Sequence, residues 1–82
     1  PNARLDWLVA HRRAREASIL KALNAGPATA EDLARVIYTE TPAALLGAAT
    51  RNVLAHLLDL TGRGCVAPQG VLQAEAHFAL IS

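Results

Sequence analysis

The spacing of apolar residues predicts three helices followed by two short strands. The first helix covers residues 6–24, where apolar residues recur at roughly helical intervals. They are Leu8, Val9, Ala17, Ile19, Leu20 and Leu23. Asp6 is the expected N-cap. The helix should end at Ala25-Gly26-Pro27, because glycine tolerates the left-handed cap conformation and proline cannot continue the hydrogen-bond ladder.

The second helix is predicted from the stretch TAEDLARVIY, which begins at Thr29. Thr29 should cap this helix, and Asp32 follows at the position that completes a short-armed capping box. The apolar spacing places Leu33, Val36 and Ile37 on the buried side. We therefore expect a short helix with a well-defined start.

The third helix should start at Thr41-Pro42, since a capping residue followed by proline is typical of a first helical turn. It should continue to Gly62, with no helix breaker except Gly47 on the way. One stripe of apolar residues at helical intervals is expected to face the core. That stripe consists of Ala49, Val53, Leu57 and Leu60.

The last part of the sequence predicts a two-stranded hairpin. Cys65-Val66-Ala67 is the first strand, Pro68-Gln69-Gly70 is the turn, and QAEAHFALI (residues 73–81) is the second strand. In it Ala74, Ala76, Phe78 and Leu80 alternate with Gln73, Glu75, His77 and Ala79. Three helices followed by a hairpin predict a mainly α fold, a winged helix-turn-helix, as a single domain over residues 1–82.

Three stretches carry a resemblance to a known family: HRRAREASILKAL, TAEDLARVIY and AATRNVLAHLLDLTGRGCV. In this order they resemble the C-terminal winged-helix domain of metallo-β-lactamase-fold hydrolases, the β-lactamase-like protein 2 group, and the resemblance spans about residues 6–67. The most specific positions are His11-Arg12, Arg15-Glu16, Ile37-Tyr38, Ala49 through Asn52, Ala55-His56-Leu57 and Leu60. The resemblance implies an accessory domain without its own catalysis. Such a domain packs on a hydrolase domain that precedes it in the same parent chain and helps form the substrate entrance.

The resemblance also implies where the chemistry of the parent protein lies. In this family zinc is held by an HxHxDH motif in the hydrolase domain, and that motif is absent from this sequence. We therefore expect no cofactor and no catalytic residue in this chain, and zinc in the missing hydrolase domain. The parent would hydrolyse a thioester, lactone-like or phosphodiester substrate, and RNA would be a partner only as the parent's substrate.

The composition agrees with one small domain taken from a larger protein. A chain of 82 residues suits a single core. The hydrophobic fraction of 52% and the aromatic fraction of 4% describe an aliphatic core, with Trp7, Tyr38 and Phe78 as the only large rings. The chain contains no methionine and begins PNARLDW, so we expect it to be a piece of a longer protein.

The charge distribution disfavours DNA as a partner. Eight Lys and Arg residues against seven Asp and Glu leave a formal charge of +1, which lacks the basic excess of a phosphate-binding surface. The polar face of the third helix has Asp59 among Asn52, His56 and Arg63, and the wing stretch APQGVLQAEAH has no Lys or Arg. The alternative function is an independent winged-helix module that binds DNA or a protein partner.

The first helix holds a basic cluster of Arg12, Arg13 and Arg15. One interpretation is a solvated face on which Arg12 pairs with Glu16 at helical spacing. The other is that Arg12 and Arg15 face the hydrolase domain or an anionic substrate between the two domains.

Further candidates lie on the second and third helices. Leu54 and Leu58 are off the inward stripe, and their exposure would favour a protein contact. Tyr38 is expected either as a half-buried ring with its hydroxyl in water or at the domain boundary. The candidates for a domain interface or a substrate-facing surface are Arg12, Arg15, Tyr38, Leu54, His56 and Leu58.

The sequence predicts neither a metal site nor a membrane anchor. His11, His56 and His77 fall on three different elements, and none of them is near Cys65 in the sequence. No apolar stretch approaches the length of a membrane span, and no Ser or Cys lies in a nucleophile motif. The single cysteine is expected to be a small buried hydrophobe, which favours a reducing, cytoplasmic location.

Overall fold

The computed structural model describes the backbone of residues 3–81 and the side chains of residues 10–81. The elements follow the order of a winged helix-turn-helix, which confirms the predicted fold class. They are α1 (Ala3–Leu23), α2 (Ala30–Ile37), a 3-10 turn (Ala43–Leu45), α3 (Leu46–Gly62), β1 (Val66–Pro68) and β2 (Phe78–Leu80).

Helix α1 is longer than predicted at its start and ends where expected. It begins at Ala3, so Asp6 lies within the helix and the prediction that it is the N-cap is wrong, because an N-cap residue has non-helical backbone angles. At the other end, Gly26 has a φ of 136° and its N–H donates to the carbonyl of Leu23 at 3.1 Å. The predicted side-chain packing of Leu8 and Val9 lies outside the described residues.

Helix α2 begins with the predicted capping box. The Oγ1 atom of Thr29 accepts from the N–H of Asp32 at 3.1 Å, and the Oδ2 atom of Asp32 accepts from the N–H of Thr29 at 3.3 Å. Leu33 is buried and Ile37 partly buried, but Val36 is 63% exposed, so its predicted burial is wrong. The buried stripe of this helix is completed by alanines at helical spacing, and Val36 lies beside it. Those residues are Ala30, Leu33 and Ala34.

Helix α3 begins later than predicted. Pro42 has a ψ of 146°, so it is the residue before the 3-10 turn and not the first helical residue. Thr41 is therefore not the cap, and the α-helix proper begins at Leu46. The remainder of the prediction is confirmed, since the helix ends at Gly62 and its inward stripe is buried. The buried residues are Ala49, Val53, Leu57 and Leu60.

The wing is a short antiparallel hairpin, and its two strands are joined by a long wing connection, residues 69–77. Val66 pairs with Leu80, and Pro68 pairs with Phe78. The two-stranded hairpin is confirmed, but the second strand is much shorter than predicted. The N–H of Ala76 donates to the carbonyl of Gln73 at 3.1 Å, and this turn interrupts the extended conformation that the alternating pattern indicated.

Ala28 joins the wing to the helical part of the fold. Its N–H donates to the carbonyl of Phe78 at 3.1 Å, and the N–H of Phe78 donates back to Ala28 at 2.8 Å. This antiparallel bridge adds a one-residue strand from the α1–α2 connection, next to β2. The sheet therefore fixes the wing to the start of the helix-turn-helix.

All three helices and both strands, with the wing connection, contribute to one core. Phe78 is its largest fully buried side chain and lies among residues from α1, α2 and α3. The core consists of Ile19, Leu23, Ala30, Leu33, Ala34, Ala49, Val53, Leu57, Leu60, Val66, Ala76 and Phe78. Within residues 3–81, none of the helices combines the length and the apolar character that crossing a bilayer requires.

Candidate functional site

A set of polar side chains from α1, the end of α2 and α3 meets on one side of the domain. We call this set the polar seam. It consists of Arg12, Arg15, Glu16, Tyr38, Asn52, His56, Asp59 and Arg63. On each helix the contributing residues are spaced three or four apart, which places them on one face. The seam brings together four of the sequence candidates, namely Arg12, Arg15, Tyr38 and His56.

One end of the seam is a network of ion pairs between α1 and α3. The Nη2 atom of Arg63 lies 2.6 Å from Oε2 of Glu16 and 2.9 Å from Oδ2 of Asp59. Arg12 approaches Asp59 at 3.8 Å. The predicted pairing of Arg12 with Glu16 along α1 is wrong, because each of these side chains reaches across to α3.

The network lines a cleft of about 330 Å³ between the two helices. Three arginines and two carboxylates surround it, and they are Arg12, Arg13, Glu16, Asp59 and Arg63. The hydrogen bond to Glu16 raises the pKa of the Arg63 guanidinium, and the charge of Asp59 acts in the same direction. The three arginines and the two carboxylates leave one surplus positive charge at the cleft.

The other end of the seam is built around Tyr38. The guanidinium of Arg15 lies over its ring, 4.3 Å from the centroid. The side-chain amide of Asn52 donates to the Tyr38 hydroxyl at 3.4 Å. The backbone N–H of Tyr38 donates to the carbonyl of Ala34 at 2.8 Å, which fixes the residue at the end of α2. A partly exposed cation–π contact of this kind contributes about 0.5–1 kcal/mol and restricts the orientation of Arg15.

His56 lies between these two ends and is half-buried. Burial lowers the pKa of its imidazole below the ordinary value of 6.5, and the charges of Arg12 and Arg15 lower it further. Glu16 and Asp59 act in the opposite direction. The neutral imidazole is therefore favoured near pH 7, where it can donate one hydrogen bond and accept another.

The face of α3 that points away from the core is exposed along its whole length and carries little charge. Its residues are Ala48, Arg51, Ala55, Leu58 and Gly62. We call this surface the outer face. Leu58 is 46% exposed there, whereas Leu54 is partly buried and packs against the core on the flank of α3 away from the seam. The two leucines that the sequence paired as interface candidates therefore offer different surfaces.

The outer face carries few of the side chains that proteins use to contact DNA bases. A winged helix that reads the major groove presents several long polar side chains from this helix. Here Arg51 is the one charged side chain, and Asn52 and Arg63 are engaged within the seam. The wing connection, residues 69–77, contains no Lys or Arg.

The three histidines lie in different parts of the fold. His11 is on α1, His56 is on α3 and His77 precedes β2. Among the side chains of residues 10–81, no three or more His, Cys, Asp or Glu residues are grouped so that they could hold a metal ion. Cys65 is partly buried and packs against the core.

Several features of this surface were not expected from the sequence. Glu16, Asp59 and Arg63 connect α1 with α3, and Asn52 supports the Tyr38 hydroxyl. Their helical spacing is visible in the sequence, but their partners lie on another helix.

The sequence analysis also missed a groove of about 650 Å³ between α1 and α2. Its one sequence signal is the group of small residues near the end of α1.

The chain is similar to a known family. A family model described as a beta-lactamase associated winged helix domain matches residues 29–73, which is more than half of the chain. The matched region contains α2, α3 and β1. It also contains the part of the polar seam that α2 and α3 contribute, while the arginines of α1 lie before it.

Proposed function

The chain belongs to the beta-lactamase associated winged helix domain family, and from this premise we propose that it is a non-catalytic accessory domain of a metallo-β-lactamase-fold hydrolase. The hydrolase domain would lie in the same parent chain. The accessory domain would pack on it and form part of the substrate entrance. The observation that supports this role best is the position of the polar seam, which borders the exposed outer face of α3.

The outer face is the proposed contact with the hydrolase domain. Its alanines and glycine allow another protein surface to approach the helix closely, and Leu58 supplies apolar area to bury. Charged residues are depleted in the centre of protein interfaces, and Arg51 is the one charged residue on this face. A protein partner therefore fits this surface better than a polyanion does.

The polar seam is the proposed wall of the entrance. It is one flank of the same helix, so a domain that covers the outer face leaves the seam at the edge of the contact. Arg12 and Arg15 would meet the anionic part of a substrate there, and neutral His56 would offer a hydrogen bond. Tyr38 and Asn52 would keep Arg15 in place. These residues bind and orient, and they move no proton in this proposal.

Zinc would be held by the hydrolase domain, where it would activate water for hydrolysis. The donor set of this chain does not fit that role, because the HxHxDH motif is absent from its sequence. The seam's contribution would be to bind and orient the substrate. The proposed location is the cytoplasm, because the single Cys65 requires no oxidising compartment.

The test compares the longer protein with and without residues 1–82. Hydrolysis of a thioester panel and of single-stranded RNA is measured for both forms, together with zinc content. Equal zinc with lost activity or altered substrate preference supports the proposal. Unchanged rates in a truncated enzyme that remains folded would overturn it and favour an independent module. A salt titration with duplex DNA would then decide whether that module binds phosphates.

A second arm tests the outer face alone. Leu58→Asp should separate the two domains and reduce activity, because a charge is introduced into an apolar contact. Val71→Asp is the matched control, since Val71 is 76% exposed in the wing connection and away from α3 in the sequence. Equal effects of the two variants would show that the outer face is not the contact.

A further inference from the structure

The groove between α1 and α2 has the size and the lining of a small-molecule site. Its volume is about 650 Å³, within the range of about 300–1,000 Å³ that ligand pockets occupy. The floor is apolar and comes from the end of α1, the following turn and one side of α2. The floor residues are Ala22, Ala25, Pro27, Leu33, Val36 and Ile37.

The groove stays open because of the residues that end α1. Ala22 and Ala25 have side chains too short to fill the space, and Gly26 turns the chain away with a φ of 136°. Val36 lines the groove and remains 63% exposed. An apolar wall of this kind in a folded domain is more favourable when a ligand covers it.

The charged residues at the groove leave an excess of positive charge. Arg15 and Lys21 contribute two cations from α1, and Asp32 contributes one carboxylate from α2. The Asp32 carboxylate already accepts from the N–H of Thr29 in the capping box. Its charge is also offset by the dipole at the start of α2. The two cations are therefore available to an anion.

Arg15 lines the groove and also contacts Tyr38. Its guanidinium lies over the Tyr38 ring, 4.3 Å from the centroid, and this contact limits the positions that the side chain can take. The N–H groups of a guanidinium match the geometry of a carboxylate. Ser18, the remaining polar residue of the α1 wall, donates its hydroxyl to the carbonyl of Ala14 at 3.0 Å and adds no charge.

We propose that this groove binds a small amphiphilic anion, a carboxylic acid with an unbranched hydrocarbon chain. The chain lies along the apolar floor beside Val36, and the carboxylate lies at the cationic rim formed by Arg15 and Lys21. The ligand is a free molecule in solution. This inference goes beyond the proposed accessory function and does not depend on it, because the groove is formed entirely by this chain.

In the binding test, octanoate is added to the 82-residue chain at constant ionic strength. NMR measures binding at each concentration of octanoate. Octanol provides the same hydrocarbon chain without the charge, and acetate provides the charge without the chain. We expect saturable binding of octanoate. The affinity for octanol and the affinity for acetate should each be lower by about tenfold or more. Equal binding of octanol and octanoate would overturn the proposed role of the two cations.

Variants locate the binding. Val36→Asp and Lys21→Gln change exposed side chains, so the fold should be retained, as circular dichroism would verify. Each should weaken octanoate binding by about tenfold. Arg51→Gln removes the same charge from the outer face of α3 and should change nothing. A similar loss with Arg51→Gln would show non-specific attraction and overturn the site.

A membrane source of the ligand is tested separately. Vesicles of anionic and neutral phospholipids are mixed with the chain, and sedimentation measures the bound fraction. Octanoate binding below its micelle concentration, without vesicle binding, supports a free ligand. Binding to anionic vesicles without binding of monomeric octanoate would overturn the proposal in favour of a membrane surface. Neither result bears on the hydrolase assay, so the two proposals fail independently.

Discussion

Arg63, the C-cap residue of α3, binds Glu16 at 2.6 Å and thereby connects the end of α3 to the middle of α1. Arg63 also holds Asp59, one turn earlier on its own helix, at 2.9 Å. The two carboxylates would repel each other without this shared guanidinium. The charged part of the polar seam is therefore a structural connection between helices as well as a candidate functional surface.

Glu16→Gln should lower the melting temperature of the chain at low salt. The substitution keeps the shape of the side chain and removes the ionic part of its contact with Arg63. Because the pair is partly exposed, salt should screen it, and the Debye length falls from about 10 Å at 0.1 M to about 3 Å at 1 M. Thermal unfolding at both salt concentrations measures the difference.

The control for this substitution is Glu40→Gln, an exposed residue after α2. It should leave the melting temperature nearly unchanged. In high salt the deficit of Glu16→Gln should fall to about half or less of its low-salt value. A deficit that is the same at both salt concentrations would mean that packing, and not charge, explains the role of Glu16.

Thr29→Ala should reduce the free energy of unfolding by about 1 kcal/mol, since it removes the side chain that caps α2. The free amide of Asp32 then depends on water alone. Urea denaturation measures the change. Thr39→Ala, which alters an exposed threonine after the same helix, should change the free energy by less than about 0.5 kcal/mol. Equal effects would argue against the capping box.

Phe78→Ala should cost about 3–5 kcal/mol, because Phe78 is fully buried and its removal leaves a cavity between the sheet and the helices. The free energy of unfolding of a domain of this size is only a few kcal/mol, so this loss is of comparable size. We expect a non-cooperative thermal transition by circular dichroism. Leu72→Ala in the exposed wing connection should retain the cooperative transition of the unchanged chain. A cooperative transition in Phe78→Ala would show that the core closes around the missing ring.

The features that the sequence predicts well are local. The capping box at Thr29 and the inward stripe of α3 depend on residues within a few positions of one another, and both are confirmed. The family resemblance, drawn over residues 6–67, is confirmed by a match over residues 29–73. The order of elements then follows from helix breaks and turn residues. Local signals were therefore sufficient for the fold class.

The features that the sequence does not predict depend on distant partners. Ala28 has no local strand signal, and its bridge exists because Phe78 lies beside it. Glu16 had an available partner on its own helix, yet Arg63 pairs with it from α3. Val36 followed the apolar pattern of α2 but faces the α1–α2 groove. In each case the tertiary arrangement decides the contact.

His56 should make stability depend on pH between its unfolded and folded pKa. Burial, Arg12 and Arg15 lower its pKa from 6.5, against Glu16 and Asp59. The unfolded chain then binds the proton more readily, so stability is fully present above pH 6.5 and falls as the pH drops through the lowered folded pKa. In the His56→Gln variant, the midpoint of urea unfolding should change less with pH over this window.

The control for the pH dependence is His77→Gln, in the wing connection. It should keep the decline that the unchanged chain shows over the window just below pH 6.5. If His56→Gln retains that decline, the titration of other groups would account for it.

The entrance role of the polar seam predicts a charge-dependent effect on catalysis in the longer protein. Arg12→Glu combined with Arg15→Glu should reduce kcat/KM for an anionic substrate by about tenfold or more, since each arginine would contribute a charge-assisted hydrogen bond. The effect on a neutral substrate should be smaller. Hydrolysis assays with a matched pair of charged and neutral substrates measure this ratio.

Two further variants separate the possible causes of such a loss. Arg12→Glu alone changes the seam without changing the α1–α2 groove, which Arg15 lines and Arg12 does not. Arg12→Glu alone should therefore still lower kcat/KM more for the anionic substrate than for the neutral one, but by less than the double variant does. Arg51→Glu reverses one charge on the outer face. Any effect of this variant on kcat/KM should be the same for the charged and the neutral substrate. Equal losses for both substrates with Arg12→Glu would indicate a disturbed domain contact, because a direct interaction with substrate charge must distinguish them.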